Sequence, residues 1–437
     1  MKAKIALIFA LGVMTGLISG CSRESTPSSV PDSSGGTEPS SLSSSQPSET
    51  DAQDTAEIEM PELPGREGDQ PLVRLLGTKE ELFAFAEWVG TGASYYCQDL
   101  TWQLDADIDL EGEPWSPIGP LKNVLDLRDA KTQLEGYDYL IQKITQEKEE
   151  NPEFYEDMRS YLGFFGTFDG NGHRITGLNV PYENVQCQED PYTQSGFFAV
   201  LGAGSLVRDL HIEGTVQGFG DTGGLAGRGP YGLHTETPAF VIGCSFTGTV
   251  ELPTGIYRSH GGFGGLIGST GEDLQIRNSF ALADVSGDNN VGGLIGSANN
   301  NSEILNCFCR GTVTAVPAFQ KEGKLLVSNI GGLTGASYNG TFINCYSDTN
   351  LVITAMSGPI GGFIGYHSGQ DSGCVYNAQK TGDWGPGYAY PGSNTKFNAI
   401  ALSPEEMKDP QIFRDLGWDL DVVWQLEEGD ISPSLRS

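Results

Sequence analysis

Three aspartates that alternate along one short segment have the spacing best suited to metal binding or acid–base chemistry. Asp105, Asp107 and Asp109 lie two residues apart, so in a β-strand their carboxylates would share one face. Such a row can ligate Ca²⁺, and a pair of carboxylates can hydrolyse a glycosidic bond. The residues that alternate with them are apolar, so a solvated face opposite a buried one is the simpler interpretation. The sequence therefore predicts no metal and no cofactor, and Ca²⁺ stays open as an alternative.

The sequence offers no catalytic candidate when it is compared with the motifs of peptidases, hydrolases and nucleotide-binding proteins. The five histidines are never four residues apart, so the His-Glu-x-x-His motif of metallopeptidases is absent. No Gly-x-Ser-x-Gly elbow occurs either. The Gly-x-Gly-x-x-Gly spacing at residues 218–223 lacks a strand-to-helix context and belongs to a repeat. We predict no catalytic residue and a protein that is not an enzyme.

The aromatic residues of one loop are the best candidates for ligand binding. Trp384, Tyr388 and Tyr390 stand among Gly and Pro residues that favour turns. Flat rings in a surface loop can stack on a sugar or on a protein ligand. The alternative is that these rings fold back over the last part of the core.

The charge of the chain excludes some classes of partner. The 437 residues include 25 Lys and Arg against 57 Asp and Glu, a formal net charge of −32. A chain this acidic is repelled by nucleic acid and by anionic lipid surfaces. We therefore predict no nucleic-acid partner.

The N-terminus indicates export and lipidation. A short basic region precedes an apolar run at residues 5–18, which is too short for a transmembrane helix and is typical of a signal peptide. The run ends in Leu-Ile-Ser-Gly-Cys, which resembles the lipobox of bacterial lipoproteins. The resemblance implies that residues 1–20 are removed and that Cys21 carries a lipid anchor, which would place the protein on the extracellular face of the bacterial cell envelope.

The segment that follows is predicted to be a tether. Residues 21–69 are rich in Ser, Pro, Thr and acidic residues and contain no aromatic residue. Such a composition cannot bury enough apolar surface to offset the entropy of ordering, so we expect a disordered acidic segment. Without Cys21, seven cysteines remain, an odd number for a disulfide framework, and we expect most of them to be buried thiols.

A repeated pentapeptide dominates the rest of the chain. Its five full copies occupy residues 223–227, 264–268, 292–296, 331–335 and 361–365. A second signature, such as Asn278-Ser279-Phe280 or Asn306-Cys307-Phe308, follows four of them at a lag of 14 or 15 residues. A constant lag inside repeats of unequal length is typical of a solenoid with loops between fixed coils.

The pattern inside the repeats predicts the type of solenoid. Apolar or small residues alternate with polar ones, which is the period of a β-strand, and Gly pairs suit tight corners. Asn at a fixed coil position can form an amide ladder along the stack. The sequence thus predicts an all-β fold, a right-handed parallel β-helix with short capping helices. A β-propeller is the alternative, but the repeats are too short and unequal for its blades. Capping boxes that begin at Thr78 and Ser403 predict helices that cover the two ends.

The repeats also resemble a known family. The Gly-Gly-Leu-Ile-Gly copies are similar to the GLUG motif of bacterial surface proteins, including parts of IgA-cleaving metallopeptidases. Segments 104–119, 165–178 and 418–424 resemble the first coil, the next coil and the closing strand of such proteins, so the likeness covers about residues 72–436. It implies a β-helix ectodomain over residues 70–437, closed by a C-terminal cap at 402–437. Residues 121–162 depart from the family pattern, and their composition predicts a helical insertion.

Together these features predict a membrane-anchored surface lipoprotein whose ectodomain is an adhesin or binding module. Its expected partners are the membrane, through the lipid, and a glycan or a host or cell-surface protein. The alternative is a polysaccharide lyase or glycoside hydrolase on the same scaffold, and a third option is a passive envelope spacer. Fold alone does not decide among them.

The lipobox makes a prediction about the attachment of the protein. Cys21→Ala removes the only sulfur that can accept the lipid at this site, so the variant should leave the membrane fraction when cells are lysed and fractionated. A Ser22→Ala variant is the control and should stay with the membrane. Retention of Cys21→Ala in the membrane fraction would contradict the lipoprotein assignment.

Overall fold

The computed structural model describes the chain from residue 72 to residue 436, with internal gaps. The described residues are 72–90, 94, 98–119, 163–182, 194–230, 237–254, 261–316, 318–319, 325–326, 328–354, 358–390, 395 and 397–436. The chain divides into two units, residues 1–57 and 58–437, and all described residues lie in the second. The predicted signal peptide, Cys21, the tether and the insertion at 121–162 lie outside the described residues.

Four parallel sheets run along this second unit, and each is built from short strands of successive coils. The first sheet contains Val73–Leu76, Thr101–Leu104, Thr167–Asp169, Leu206–Arg208, Ala239–Ile242, Leu274–Arg277, Glu303–Leu305, Thr341–Ile343 and Gln370–Ser372. The second contains Phe198–Val200, Ala226–Arg228, Ile267–Ser269, Ile295–Ala298, Thr334–Ser337, Ile364–His367 and Gly387–Ala389. The third contains Ile108–Asp109, Arg174–Val180, His211–Gln217, Ser245–Glu251, Phe280–Gly287, Phe308–Ala315, Tyr346–Ile353, Val375–Asn377 and Ile400–Leu402. The fourth contains Thr222–Gly223, Phe263–Gly264, Asn289–Gly292, Ser328–Gly331 and Ile360–Gly361.

One coil visits all four sheets in turn before the next coil begins. After Phe263–Gly264 in the fourth sheet the chain enters the second at Ile267–Ser269, the first at Leu274–Arg277 and the third at Phe280–Gly287. It then returns to the fourth sheet at Asn289–Gly292, which pairs in parallel with the strand where the coil began. This architecture confirms the predicted parallel β-helix.

The pentapeptide forms the corner between the fourth and second sheets. In the second full copy Gly264 ends one strand, Ile267 begins the next, and the intervening Leu266 is fully buried. A Cβ on Gly265 would lie 2.3 Å from the Gly293 carbonyl oxygen of the next coil. Coils pack so closely at this corner that only glycine fits, which explains why the Gly pair recurs.

Asparagine occupies the opposite corner, between the first and third sheets. Asn278, Asn306 and Asn344 all adopt left-handed backbone conformations, with φ of 49°, 53° and 51°. The Asn306 side-chain nitrogen donates to the side-chain oxygen of Asn278 in the preceding coil at 3.1 Å. Asn tolerates this conformation better than other non-glycine residues, and its amide also links adjacent coils. The predicted Asn ladder is therefore confirmed between these two coils.

The helix α1 (Lys79–Gly90) covers the N-terminal end of the core. Its inward face buries Leu82, Phe85 and Val89, and the Phe85 ring lies 5.8 Å from that of Phe164 and 5.4 Å from that of Phe168. The predicted capping box is present, because Thr78 Oγ1 accepts from the Glu81 backbone N–H while the Glu81 carboxylate accepts from that of Thr78.

The C-terminal segment departs from the prediction. The capping box at Ser403 forms with Glu406 but begins only a 3₁₀ turn, Glu406–Lys408. The other helical elements whose full bounds are described are α2 (Ala378–Thr381), a 3₁₀ turn (Gly382–Trp384) and α3 (Pro410–Asp415). Two antiparallel pairs, Ala318–Phe319 with Leu325–Leu326 and Trp424–Gln425 with Ser434–Leu435, lie outside the coils.

This segment packs along a flank of the β-helix and does not simply cover its open end. Trp418 and Trp424 bury themselves against Phe308 and Tyr346, whose side chains point outward from the third sheet. The C-terminal segment is also held by a hydrogen bond, in which the Tyr346 hydroxyl donates to the Pro433 carbonyl at 2.5 Å. The sequence did not predict this position because an apolar cap pattern does not specify which surface it covers.

The Asn corner yields a prediction about stability. Asn306→Ala places an alanine in the left-handed conformation and removes the amide link, so the free energy of unfolding should fall by about 1–2 kcal/mol. Asn306→Gly removes the same link but accepts the conformation, and should cost less. Urea denaturation of both variants measures the difference. Equal losses would show that the backbone conformation is not what selects Asn here.

Candidate functional site

Two of the three predicted ligand-binding residues lie on the last strand of the second sheet or just after it. Tyr388 is in Gly387–Ala389 and Tyr390 follows that strand, and their spacing of two places both rings on one face. The backbone N–H of Tyr390 donates to the His367 carbonyl, which extends the pairing with the preceding coil. Tyr388 pairs directly with Tyr366 of that coil.

These residues are part of a larger group, which we call the tyrosine cluster: Tyr338, Tyr366, Tyr388 and Tyr390. The ring of Tyr366 is central, with centroid distances of 5.5 Å to Tyr338, 6.2 Å to Tyr388 and 5.9 Å to Tyr390. Because Tyr338, Tyr366 and Tyr388 come from three successive coils, the cluster extends along the axis of the β-helix.

The cluster is open to solvent, although its central ring is partly covered. Tyr338, Tyr388 and Tyr390 are 40%, 46% and 50% exposed, whereas Tyr366 is more covered by its neighbours. Desolvation raises the pKa of Tyr366, and the nearby phenols of the other three reinforce this shift. Desolvation also raises the pKa of Tyr338, although a hydrogen bond with the Asn290 side chain opposes it. Both shifts favour the uncharged phenol, and the surface of the cluster combines flat apolar faces with hydroxyl groups.

Trp384, the third predicted residue, is exposed but stands apart from this group. It ends the 3₁₀ turn Gly382–Trp384, is 37% exposed, and no ring contact within the described residues joins it to the four tyrosines. Tyr338 and Tyr366 were missed because they lie inside repeats rather than in the loop. Tyr366 directly follows the last Gly of its pentapeptide, whereas Tyr338 follows the last Gly of the preceding copy by three residues, so aligning the repeats does not bring the two tyrosines together.

The alternating aspartates do not form a common site. All three are exposed, and two of the carboxylates bond locally: Asp107 accepts from His173 and from the Arg174 backbone N–H, each at 3.0 Å, and Asp109 accepts from the Glu111 backbone N–H. The bond from Arg174, followed by that from His173, lowers the pKa of Asp107. Among the residues that the structure describes, no group of three or more His, Cys, Asp or Glu side chains is arranged to hold a metal.

Three of the buried carboxylates among the described residues pair with an arginine or lysine. Asp169 accepts from Arg208 at 2.6 Å, Asp221 from Arg228 at 2.8 Å, and Asp348 lies 2.9 Å from the Lys380 ammonium. Asp169 and Arg208 face each other on neighbouring strands of the first sheet, and Asp221 pairs with Arg228 seven residues further along the chain. Each of the three acids is thus engaged by its own cation, whereas glycoside hydrolysis requires two carboxylates facing one bond.

Among the described residues five cysteines are buried as free thiols, in agreement with the expectation for most of them. They are Cys244, Cys307, Cys309, Cys345 and Cys374. Four of them each stand immediately before a strand of the third sheet, and these strands pair in register: Cys244, Cys307, Cys345 and Cys374. Their sulfurs therefore form a column inside the core, which is interrupted in one coil by Ser279 at the equivalent position. Burial raises the pKa of Cys244 to about 12, and it also raises the pKa of Cys309, Cys345 and Cys374.

Comparisons with known proteins support the fold. A crystal structure of a protein from Bacteroides ovatus, described provisionally as an immunoglobulin A1 protease, matches with a TM-score of 0.51 at 16% identity. The match covers 83% of this chain and 91% of that one, so it shows that the two share an architecture.

Similarity in sequence is more limited. A protein from Evansella cellulosilytica, described provisionally as a Gly-rich membrane protein, is 30% identical over 107 residues. This stretch covers 23% of the chain and only 11% of that relative. No family model matches the chain. None of the helices in the described ranges is both long and apolar enough to cross a bilayer.

The buried thiols predict a loss of stability at alkaline pH. A thiol ionises near pH ~8.5 when unfolded, whereas Cys244 in the folded protein has a pKa of about 12. The unfolded state therefore binds fewer protons above about pH 9, so the free energy of unfolding falls as pH rises from there towards 12. Urea midpoints from pH 7 to 11 should show this decline, and Cys244→Ala should decline less steeply. An identical slope would contradict a contribution from this thiol.

Proposed function

We propose that the protein is a lipid-anchored bacterial surface protein whose β-helix ectodomain is an adhesin or binding module for glycans or proteins. The observation that carries the proposal is the tyrosine cluster on the outer face of the second sheet. Exposed aromatic groups of this size are costly to leave in water and are common at binding sites, since Tyr offers a large rigid contact surface with a polar tip.

The proposed location is supported by the sequence and by the comparisons. The lipobox-like Cys21 and the acidic tether favour an anchored ectodomain held away from the membrane. The relative from Evansella cellulosilytica is named as a membrane protein, and the structural neighbour from Bacteroides ovatus bears the name of an immunoglobulin A1 protease, a class of enzyme that acts on an antibody. The pentapeptides, which resemble the GLUG motif of surface proteins, agree with this assignment.

Binding is better supported than catalysis. A protease or glycosidase needs clustered acid, base or nucleophilic groups beside one substrate position. The tyrosine cluster consists of four phenols and supplies no carboxylate. The buried carboxylates of Asp169, Asp221 and Asp348 are each paired with an arginine or lysine outside the cluster. The enzyme name of the structural neighbour applies to that protein, and its 16% identity gives no basis for transferring it.

The proposed site predicts a loss of binding when the rings are removed. Tyr366→Ala with Tyr388→Ala removes the centre and one end of the cluster, so affinity for the ligand of the wild-type protein should fall at least about tenfold. Ligands are found by screening the purified protein against glycan arrays and envelope or host-surface protein arrays, and affinities are then measured by biolayer interferometry.

Two control variants make this test specific. Val422→Ala removes another exposed apolar side chain, 72% exposed on the C-terminal segment, and should bind normally. Trp384→Ala tests whether this predicted loop residue, which lies outside the cluster, contributes to ligand affinity. Unchanged binding by the double tyrosine variant, with its circular dichroism intact, would reject the cluster as the site.

A further inference from the structure

We propose that the tyrosine cluster binds an uncharged glycan chain that lies along the axis of the β-helix. This inference rests on the proposed binding function and specifies the ligand class for the same site. It also adds Tyr338 and Tyr366, which the sequence did not single out, to the ligand-binding residues.

The first argument is the direction in which the rings repeat. Tyr338, Tyr366 and Tyr388 come from successive coils, and neighbouring strands are separated by roughly 4.8 Å. The ring centroids follow this repeat at 5.5 Å and 6.2 Å. A linear polymer parallel to the axis would therefore meet an aromatic ring at every coil, whereas a single small molecule would use only part of the row.

The second argument is the chemistry of the rings. A pyranose has a C–H face and a rim of hydroxyl groups, and a half-exposed tyrosine presents the complementary pair of an apolar face and a hydroxyl. Tyrosine also loses little conformational entropy when it binds, because it has only two side-chain torsions. Here Tyr366 is held in place by its three neighbours, so much of the ordering precedes ligand binding.

The third argument is charge. The cluster consists of four tyrosines and includes no acidic or basic residue, while the whole chain carries a formal net charge of −32. An anionic glycan would be repelled by the overall field and would find no Lys or Arg among the cluster residues. A quaternary ammonium ligand needs an aromatic cage with an open centre, and in this cluster the Tyr366 ring occupies that centre. An uncharged glycan is therefore the favoured class.

A second row of aromatic residues on the same molecule is covered by protein and so offers a comparison with the tyrosine cluster. Phe280, Phe308 and Tyr346 stack on the outside of the third sheet with centroid distances of 4.8 Å and 4.9 Å. That row is covered by Trp418 and Trp424 of the C-terminal segment. The tyrosine cluster extends in the same direction, but its rings are exposed and carry hydroxyl groups. Such a surface suits a hydrated ligand that binds reversibly.

The experiment measures binding of the full-length protein in detergent to defined saccharides by isothermal titration calorimetry. The uncharged probes are oligosaccharides of two to six units from glucan, mannan, galactan and chitin. Polygalacturonate oligomers probe anionic glycans, and choline probes cations. We expect at least one uncharged series to bind, with affinity that rises with chain length until the row is filled and that depends little on salt.

Three variants connect this binding to the cluster. Tyr366→Ala should reduce affinity at least about tenfold, and Tyr388→Ala, which removes a more exposed ring and is less able to disturb folding, should also weaken it. Tyr388→Phe keeps the apolar face and should lose only about threefold or less, because a single exposed hydroxyl contributes little. Val422→Ala is the control and should bind as the wild type does.

The outcomes separate this inference from the proposed function. If no uncharged series binds, or if polygalacturonate or choline binds more tightly, the ligand class is wrong. If a protein ligand is then found that needs Tyr366, the binding function stands and only the glycan assignment fails. If a glycan binds but both alanine variants retain full affinity, the cluster is not its site.

Discussion

The parallel register between successive coils is the constraint on which the rest of the structure depends. Every coil hydrogen-bonds to the next in up to four sheets, so equivalent residues are stacked directly above one another. The corner glycines make this possible, since a Cβ at Gly293 would lie 2.5 Å from the Gly332 carbonyl of the next coil. The same register stacks the buried Leu266, Leu294 and Leu333 into one continuous apolar column, which no single repeat could bury alone.

The register also explains how function can arise on the outside of the same coils. Outward aromatic residues of successive coils become neighbours along the axis, either at one register position, as for Phe280, Phe308 and Tyr346, or at adjacent positions, as for Tyr338 and Tyr366. Two such rows in the described coils differ in what covers them. The row of Phe280, Phe308 and Tyr346 is covered by the C-terminal segment, so it contributes to stability, whereas the tyrosine cluster remains accessible.

Local partners account for several of the acidic groups of the described coils. Asp107 accepts bonds from the turn at His173 and Arg174, and Asp169 and Asp221 pair with arginines of nearby strands. Buried carboxylates without a partner would be costly, so their pairing is expected of a stable solenoid. These acidic groups therefore have structural roles, and the surface that a bound ligand would best explain is the exposed tyrosine cluster.

The sequence by itself determined the architecture, because the pentapeptide and the Asn signature record a local requirement of each corner, a missing Cβ or a left-handed backbone, that repeats along the chain. It likewise indicated Tyr388 and Tyr390, whose loop context is visible in the sequence. Only the tertiary structure decided that Tyr338 and Tyr366 join them, that Trp384 does not, and that the C-terminal segment lies on a flank. These facts depend on which outward positions of different coils become neighbours and which surface an apolar segment covers. Both are set by inter-coil register and packing between residues distant in sequence, which no local pattern encodes.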